Sequence, residues 1–374
     1  MSHYYNFLNK LENPTITFYL YAFFSETAMV LISIYLPYYS YQLGAREIEV
    51  GLVGAAPGIP YIFIPFIAGN LSDRIGRKKG LMIGTLTVSF CYILFFLISN
   101  PILFIPIRIV EGVGWSFVWP SMEAILGGDR GKLQIYNIMW GFGATIAPYL
   151  GGTLYTFFGA KNILLLTIGF MISSIFLSKL GKDSSQNGNI KRNKLETTNN
   201  FKINNILFFP FIYGIVSFTM LTFFPIYAEK TALSLNISGL VLSLMNLGRL
   251  IAFVISNNKI FDKEILQFIF TILLGFTPLG LTLSQNELIL LSLFFLLGFS
   301  LGITYAQALS KILSISEIKR GYYAGAFESL LGLGAFLGPL VGGIIANISI
   351  SYTFILPTII TISFIILKNI KIRK

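Results

Sequence analysis

The chain has 374 residues, of which 55% are hydrophobic and only 11% charged, and its mean hydropathy is +0.74. An ordinary soluble domain is about 25% charged, so this chain has too few charges to cover a water-facing surface, and soluble enzymes and nucleic-acid binders are largely excluded. The formal net charge of +11 then has to be read by position along the chain, not as attraction to an acidic partner.

Cys91 and His3 are the single cysteine and histidine. They leave no disulfide framework, no thiol or imidazole metal cluster and no Ser-His-Asp triad. Cys91 lies within an apolar run and reads as a small buried hydrophobe. The first residues have neither a basic n-region nor a small-residue cleavage site, so the first apolar run is expected to stay in place as a membrane span.

A helix needs about 20 mostly apolar residues to cross a hydrocarbon core. In chain order such runs fall near 15–39, 48–70, 80–98, 101–125, 134–158 and 162–179. A polar stretch rich in Asn, Lys and Ser follows at 180–205. Six more runs come after it, near 205–228, 238–257, 264–284, 287–310, 321–346 and 351–368. The expectation is an all-α integral membrane protein of twelve transmembrane helices in two six-helix bundles. Residues 1–180 form the first bundle, 181–204 a linker and 205–374 the second. An even number of spans puts both termini on one side. Of the 27 Lys and Arg residues, 22 fall on that side, with Arg46, Lys161 and Lys230 on the other and Arg108 and Arg249 within spans. Basic loops resist translocation, so both termini and the linker are expected to be cytoplasmic, in a multi-pass protein of the cell membrane.

The halves repeat. Gly143, Ala147, Pro148, Gly151 and Gly152 in the fifth run match Gly334, Gly338, Pro339, Gly342 and Gly343 in the eleventh, as G-x-x-x-[GA]-P-x-x-G-G. Weaker pairs are Gly51-Leu-Val with Gly239-Leu-Val, and Asp73-Arg74 with Asp262-Lys263. Parallel repeats of this size imply two pseudo-symmetric bundles related by an axis along the membrane normal.

Between the second and third runs stands Gly69-Asn-Leu-Ser-Asp73-Arg74-Ile-Gly76-Arg77-Lys-Lys. In physical terms it is a tight turn, in which Gly69 permits close helix approach, Asp73 caps or pairs, and Gly76 permits positive φ. The string resembles the signature loop of the major facilitator superfamily, G-x-L-[AS]-D-R-x-G-R-[KR], and with twelve spans in two repeated halves the resemblance covers essentially the whole chain. It implies the major facilitator fold, no bound cofactor, and a conformational charge relay carried by Asp73, Arg74 and Arg77, with Gly69 as a packing residue. The sequence Arg108-Ile-Val-Glu111-Gly-Val-Gly resembles the fourth-span motif of proton-coupled members. The Gly/Pro string of the fifth span resembles the family's antiporter motif, with Ala147 in place of one Gly. A second copy in the eleventh span leaves a purely structural packing role open.

An Arg at the centre of a span costs about 2.5–3.5 kcal/mol on insertion scales, so Arg108 needs a carboxylate or a wet cavity. Glu111 lies three residues on, nearly on the same helix face, and Glu26 in the first span is the second candidate partner. Arg249 and Glu328 are further charges within spans, open to pairing with each other, to binding substrate, or to stitching the second bundle together. Glu123 ranks lower, near a helix end. Trp115 and Trp119, four residues apart, fit either a cavity wall or ordinary packing. The chain has no G-x-x-x-x-G-K-[ST] phosphate loop, so the energy is expected from an ion gradient. These readings point to a monomeric secondary transporter that moves a small molecule by alternating access, with protons as coupling ion and export of drug-like compounds as the direction. The alternatives are uptake of a sugar, organic acid or peptide, and a non-transporting receptor or lipid-handling protein.

Overall fold

The computed structural model describes residues 14–126, 130–181, 203–256, 258–284, 286–313 and 320–372. Helices account for nearly all of them. In chain order they are α1 (Pro14–Gln42), α2 (Glu47–Ala55), α3 (Gly58–Ile75), α4 (Arg77–Leu97), α5 (Pro101–Leu126), α6 (Arg130–Phe158), α7 (Ala160–Leu180), α8 (Ile203–Lys230), α9 (Leu235–Ile255), α10 (Glu264–Phe276), the one-turn α11 (Gly280–Leu283), α12 (Glu287–Leu313), α13 (Arg320–Ala346) and α14 (Leu356–Ile372).

Among the described residues, nine helical spans are long and apolar enough to cross a membrane, and two shorter apolar stretches cover 265–279 and 350–366. The 29-residue α6 completes the twelve spans read from the sequence. Three runs that look continuous in sequence are broken in structure. The second span divides into α2 and α3 at Ala56 and Pro57, where Pro57 has no N–H to donate. The ninth passes from α10 through a 3-10 turn at Thr277–Leu279, which contains Pro278, into α11. The twelfth opens with a 3-10 segment, Ile350–Ile355, before α14.

Consecutive spans run antiparallel, so the molecule has two faces. The basic face carries the start of α1 and the ends of α3, α5 and α7. The distal face carries the turns near 43–46, 98–100, 159, 231–234 and 347–349. Connections on the distal face are short. Gly76 (φ 101°) and Gly159 (φ 76°) take left-handed backbone at the starts of α4 and α7, a conformation that costs any residue with a Cβ. Gly76 thus sits as its sequence context requires. Arg46 precedes α2, and its backbone N–H donates to Glu49 Oε2 at 2.8 Å.

Within the first half α1 packs on α6 and α7, and α4 on α5. In the second, α13 packs on α8, and α9 on α12. The broadest pairings between the halves set α2 and α3 against α13 and α6 against α9, and α1 also meets α8. A buried apolar cluster crosses this boundary, uniting Tyr35, Val50 and Ala147 of the first half with Phe223, Tyr227 and Val241 of the second. A separate cluster around Tyr21, Val88, Tyr92, Phe95 and Met122 is internal to the first half, and Cys91 belongs to it.

The helical backbone of α3 passes through Gly69, Asp73 and Arg74, but their side chains lie outside the described residues, as does that of Glu123. The linker is outside them from 182 to 202. Lys78, beside Arg77, donates through Nζ to the Lys179 carbonyl at 2.6 Å, tying the start of α4 to the end of α7.

Candidate functional site

The repeated Gly/Pro strings build the boundary between the halves, and each string has two faces. Gly143, Ala147 and Gly151 recur every fourth residue and so share one helix face, which turns towards α1. A methyl placed on Gly143 would lie 2.6 Å from the Phe23 carbonyl oxygen, and one on Gly151 would lie 2.1 Å from the Tyr35 ring. Pro148 and Gly152 form the other face, towards α9. There a methyl on Gly239 would meet the Pro148 oxygen at 2.5 Å, and Gly152 lies against Leu235 and Gly239. Ser243 Oγ accepts the backbone N–H of Tyr149 across the same seam at 3.0 Å.

The second copy repeats this plan. Gly334, Gly338 and Gly342 face Phe211, Ile215 and Phe223 of α8, while Pro339 and Gly343 face α2. A methyl on Gly51 would lie 2.6 Å from the Pro339 oxygen and 2.9 Å from Gly343 Cα. The weak sequence pair Gly51 and Gly239 therefore marks two equivalent seams. Polar contacts close the distal face beyond them. Lys230 Nζ lies 2.7 Å from Glu47 Oε1, and the Thr156 hydroxyl donates to Asn236 Oδ1 at 3.0 Å, each joining one half to the other.

Nearer mid-membrane the halves part around a cavity of about 90 Å³. Its walls include Met29 and Ser33 of α1, Tyr61 of α3, Arg108, Glu111, Trp115 and Trp119 of α5, Phe218 of α8, and Leu331 and Ala335 of α13. Arg108 and Glu111 form a buried ion pair at 2.7 Å, with side-chain exposures of 2% and 0%. Arg108 Nε also donates to the Val53 carbonyl at 3.2 Å. The second oxygen of Glu111 accepts from Trp115 Nε1 at 3.0 Å and from the Tyr92 hydroxyl at 3.3 Å. A charge this deeply buried is tolerable when paired and fully hydrogen-bonded, and these contacts supply both conditions. Trp115 and Trp119 are parallel, with ring centroids 5.3 Å apart, so the stack is a cavity wall.

Two of the pairings left open by the sequence do not form. Glu26 is not a partner of Arg108, which Glu111 occupies. Arg249 and Glu328 do not pair with each other either. Glu328 instead accepts from the Tyr61 hydroxyl at 3.1 Å, across the α3–α13 boundary. Arg249 donates to Tyr213 Oη and, at 2.6 Å, to Asn246 Oδ1. Its guanidinium also lies 5.1 Å from the centre of the Trp140 ring, which belongs to the opposite half. Neutral groups satisfy both charges, and a search for opposite charges in the sequence passes over them. Tyr61, Trp140, Tyr213 and Asn246 are thus the site residues that the sequence reading missed. Asn246 alone had a local signal, three residues before Arg249.

Removing the Tyr61 hydroxyl deletes a hydrogen bond between the halves without changing volume. Tyr61→Phe is expected to lower stability by about 1–2 kcal/mol, measured as a lower thermal unfolding midpoint in detergent. The same variant should leave Arg108 and Glu111 paired.

The sequence profile of the Major Facilitator Superfamily matches residues 18–312. Multidrug resistance protein 2 of Bacillus subtilis is 25% identical over 350 residues, covering 82% of each chain. Quinolone resistance protein NorA of Staphylococcus aureus is 25% identical over 341 residues, covering 84% of this chain and 85% of NorA. An uncharacterized MFS-type transporter of Methanocaldococcus jannaschii is 22% identical over 364 residues, 91% of this chain and 93% of its own. Among solved structures, the nucleoside transporter NupG superposes with a TM-score of 0.73 at 13% identity, over 94% of this chain and 98% of NupG. The human organic anion transporter MFSD10 superposes at 0.64 and 16%, over 94% and 99%. Twelve spans in two repeated halves, glycine seams between them and a charged cavity at their boundary agree with that match: the chain is a multi-pass membrane transporter belonging to the Major Facilitator Superfamily.

Proposed function

We propose that the protein exports drug-like or hydrophobic compounds across the cytoplasmic membrane by alternating access, in exchange for protons, with its basic face in the cytoplasm. The observation that carries this reading is the buried Arg108–Glu111 pair opening on a mid-membrane cavity between the halves. A buried carboxylate that opens on the cavity exchanges protons with whichever side the cavity faces, so alternating access carries them across. The stacked Trp115 and Trp119 offer an apolar, aromatic surface to a flat hydrophobic substrate. Two relatives named for multidrug and quinolone resistance favour export over uptake. The sequence assignment of 22 of the 27 basic residues to the side of the termini favours a cytoplasmic placement of the basic face.

In this reading the two bundles, 1–180 and 205–374, rock about the Gly/Pro seams as units, and Asp73, Arg74 and Arg77 steady the cytoplasmic end of the cycle. Glu26 and Glu328 lie one helical turn from the cavity residues Met29 and Leu331, on the side of the basic face, and serve as further proton sites along the path.

The test is flux in proteoliposomes with an imposed pH gradient, using an ethidium-type lipophilic cation, a neutral drug and a sugar. Export by exchange requires substrate to move against the proton flow. Movement with the proton flow would establish uptake instead, and flux that ignores the gradient would refute coupling. Glu26→Gln is expected to lower gradient-driven flux at least tenfold while surface expression holds; unchanged flux would remove Glu26 from the mechanism.

A further inference from the structure

The polar groups on the walls of the mid-membrane cavity are unequally engaged. Glu111 already accepts from three donors, Arg108 Nη1, Trp115 Nε1 and the Tyr92 hydroxyl. Arg108 uses Nε on the Val53 carbonyl and Nη1 on Glu111, and its Nη2 has no hydrogen-bond partner among the described residues. On the α1 wall, Ser33 is 4% exposed. A helical hydroxyl commonly bonds back to the carbonyl one turn earlier, as Thr27 does to Phe23 at 2.6 Å. The Ser33 hydroxyl makes no such bond and has no other partner among the described residues, and neither has Trp119 Nε1. Ser33 Oγ and Arg108 Nη2 border open space, unlike the unpartnered hydroxyls of Ser121 and Thr219, which packing seals. The free polar groups along the cavity are therefore donors, whereas the carboxylate on its wall is taken. The charges of Arg108 and Glu111 cancel, and Glu26, Arg249 and Glu328 are not among the residues described along it.

We infer that the cavity takes the carbonyl end of uncharged aromatic compounds, with the oxygen accepting from Arg108 Nη2 and Ser33 Oγ and the apolar remainder lying against Met29, Phe218 and Ala335. The inference rests on the transport reading above and narrows its substrates to neutral ones. A cation finds Glu111 occupied and must break its pair with Arg108. An anion on Arg108 Nη2 stands beside Glu111 with no charge left to balance it. Either adds an uncompensated charge to a buried couple that is neutral as it stands. A neutral carbonyl adds none, and its hydrogen bond from a charged donor is stronger than one between neutral groups. At about 90 Å³ the cavity has room for about three waters, so it admits a planar head of a few heavy atoms. Met29, Tyr61, Trp119, Phe218 and Leu331 are only half-buried, so the cavity is not sealed and a ring extends beyond the head.

The probes are acetophenone, α-methylstyrene, benzamidinium and benzoate. They share a phenyl ring with a planar substituent of the same size, and present in turn a neutral acceptor, no acceptor, a cation and an anion. Binding is measured by ligand-observed NMR on the full-length protein in lipid nanodiscs without a gradient, with empty nanodiscs to subtract partition into lipid. Acetophenone is expected to bind at least tenfold more tightly than either charged probe. In Ser33→Ala its affinity should fall about fivefold while that of α-methylstyrene holds. A folding loss would instead lower both together, and an unfolding midpoint near that of the parent checks that the variant is intact. Benzamidinium or benzoate binding as tightly as acetophenone would overturn the site. So would an unchanged ratio of the two neutral probes in Ser33→Ala, or no saturable acetophenone binding. Flux of a lipophilic cation without acetophenone binding would strike this site and keep export. Acetophenone binding with no flux of any compound would sink the transport reading and leave the site standing.

Discussion

Glu111→Gln should both destabilise the protein and stop gradient-driven transport. Arg108 has 1% exposure and Glu111 none, so neutralising the carboxylate strands a guanidinium in the membrane interior. Breaking a buried pair in this way costs about 3–5 kcal/mol. Trp115 and Tyr92 still find an acceptor on the amide oxygen, so the loss falls on Arg108. Replacing both partners, as Arg108→Met with Glu111→Leu, removes the stranded charge, and apolar replacements of buried pairs are often neutral or stabilising. The double variant is therefore expected to unfold near the parent temperature yet still fail to transport. Thermal unfolding in detergent and flux in proteoliposomes separate the two effects. Transport by the double variant would reduce the pair to a helix-orienting stitch.

The glycine seams carry the second large effect. A Leu at 239 brings Cβ to 2.5 Å from the Pro148 oxygen, and a Leu at 51 brings it to 2.6 Å from the Pro339 oxygen, both too close for van der Waals contact. Those oxygens belong to helix backbone and cannot swing aside as the end of a side chain could. Close-packed interiors transmit such strain instead of absorbing it, so the helices must separate. Either substitution is expected to cut transport at least tenfold while the protein still reaches the membrane. Cysteines at Thr156 and Asn236, whose side chains meet across the distal face, should cross-link readily in the parent background and poorly with Gly239→Leu. Gly169→Leu is the control, because a Cβ there has open space. Full activity and full cross-linking in the seam variants would show that the halves do not close through these glycines.

The readable and unreadable parts of the molecule divide along a physical line. Apolar length alone located the spans, because crossing lipid demands a run of hydrophobic residues wherever the helix packs. The Arg108–Glu111 pair was legible for a similar reason: both residues lie on one helix, three apart, and need no tertiary information. Glu328 meets Tyr61 only through the packing of α13 on α3, and Arg249 meets Trp140 only through that of α9 on α6, and no spacing along the chain encodes either. The partners of Arg249 and Glu328 stayed open in the sequence because they are neutral: two tyrosine hydroxyls, an amide and an indole ring serve them. The Gly/Pro strings were recognised as small-residue packing elements. Their division into one face for the home bundle and one for the opposite half depends on which helices flank them. The breaks at Pro57 and Pro278 each had a visible proline, but proline bends some spans and interrupts others, as Pro148 within continuous α6 shows.

The two seams also bear on how this chain could change over time. Gly51 stands 97 positions before Pro148, whereas Gly239 stands 100 before Pro339, so the halves have drifted in length while both glycines still meet their prolines. Loops on either face are free to gain or lose residues, because a register fixed by backbone touching backbone does not depend on the length of chain between the touching points. Recombining the halves of this protein with those of a relative should therefore be governed by the fit of four short helix surfaces. Matching loop lengths would be the wrong criterion for such a chimera.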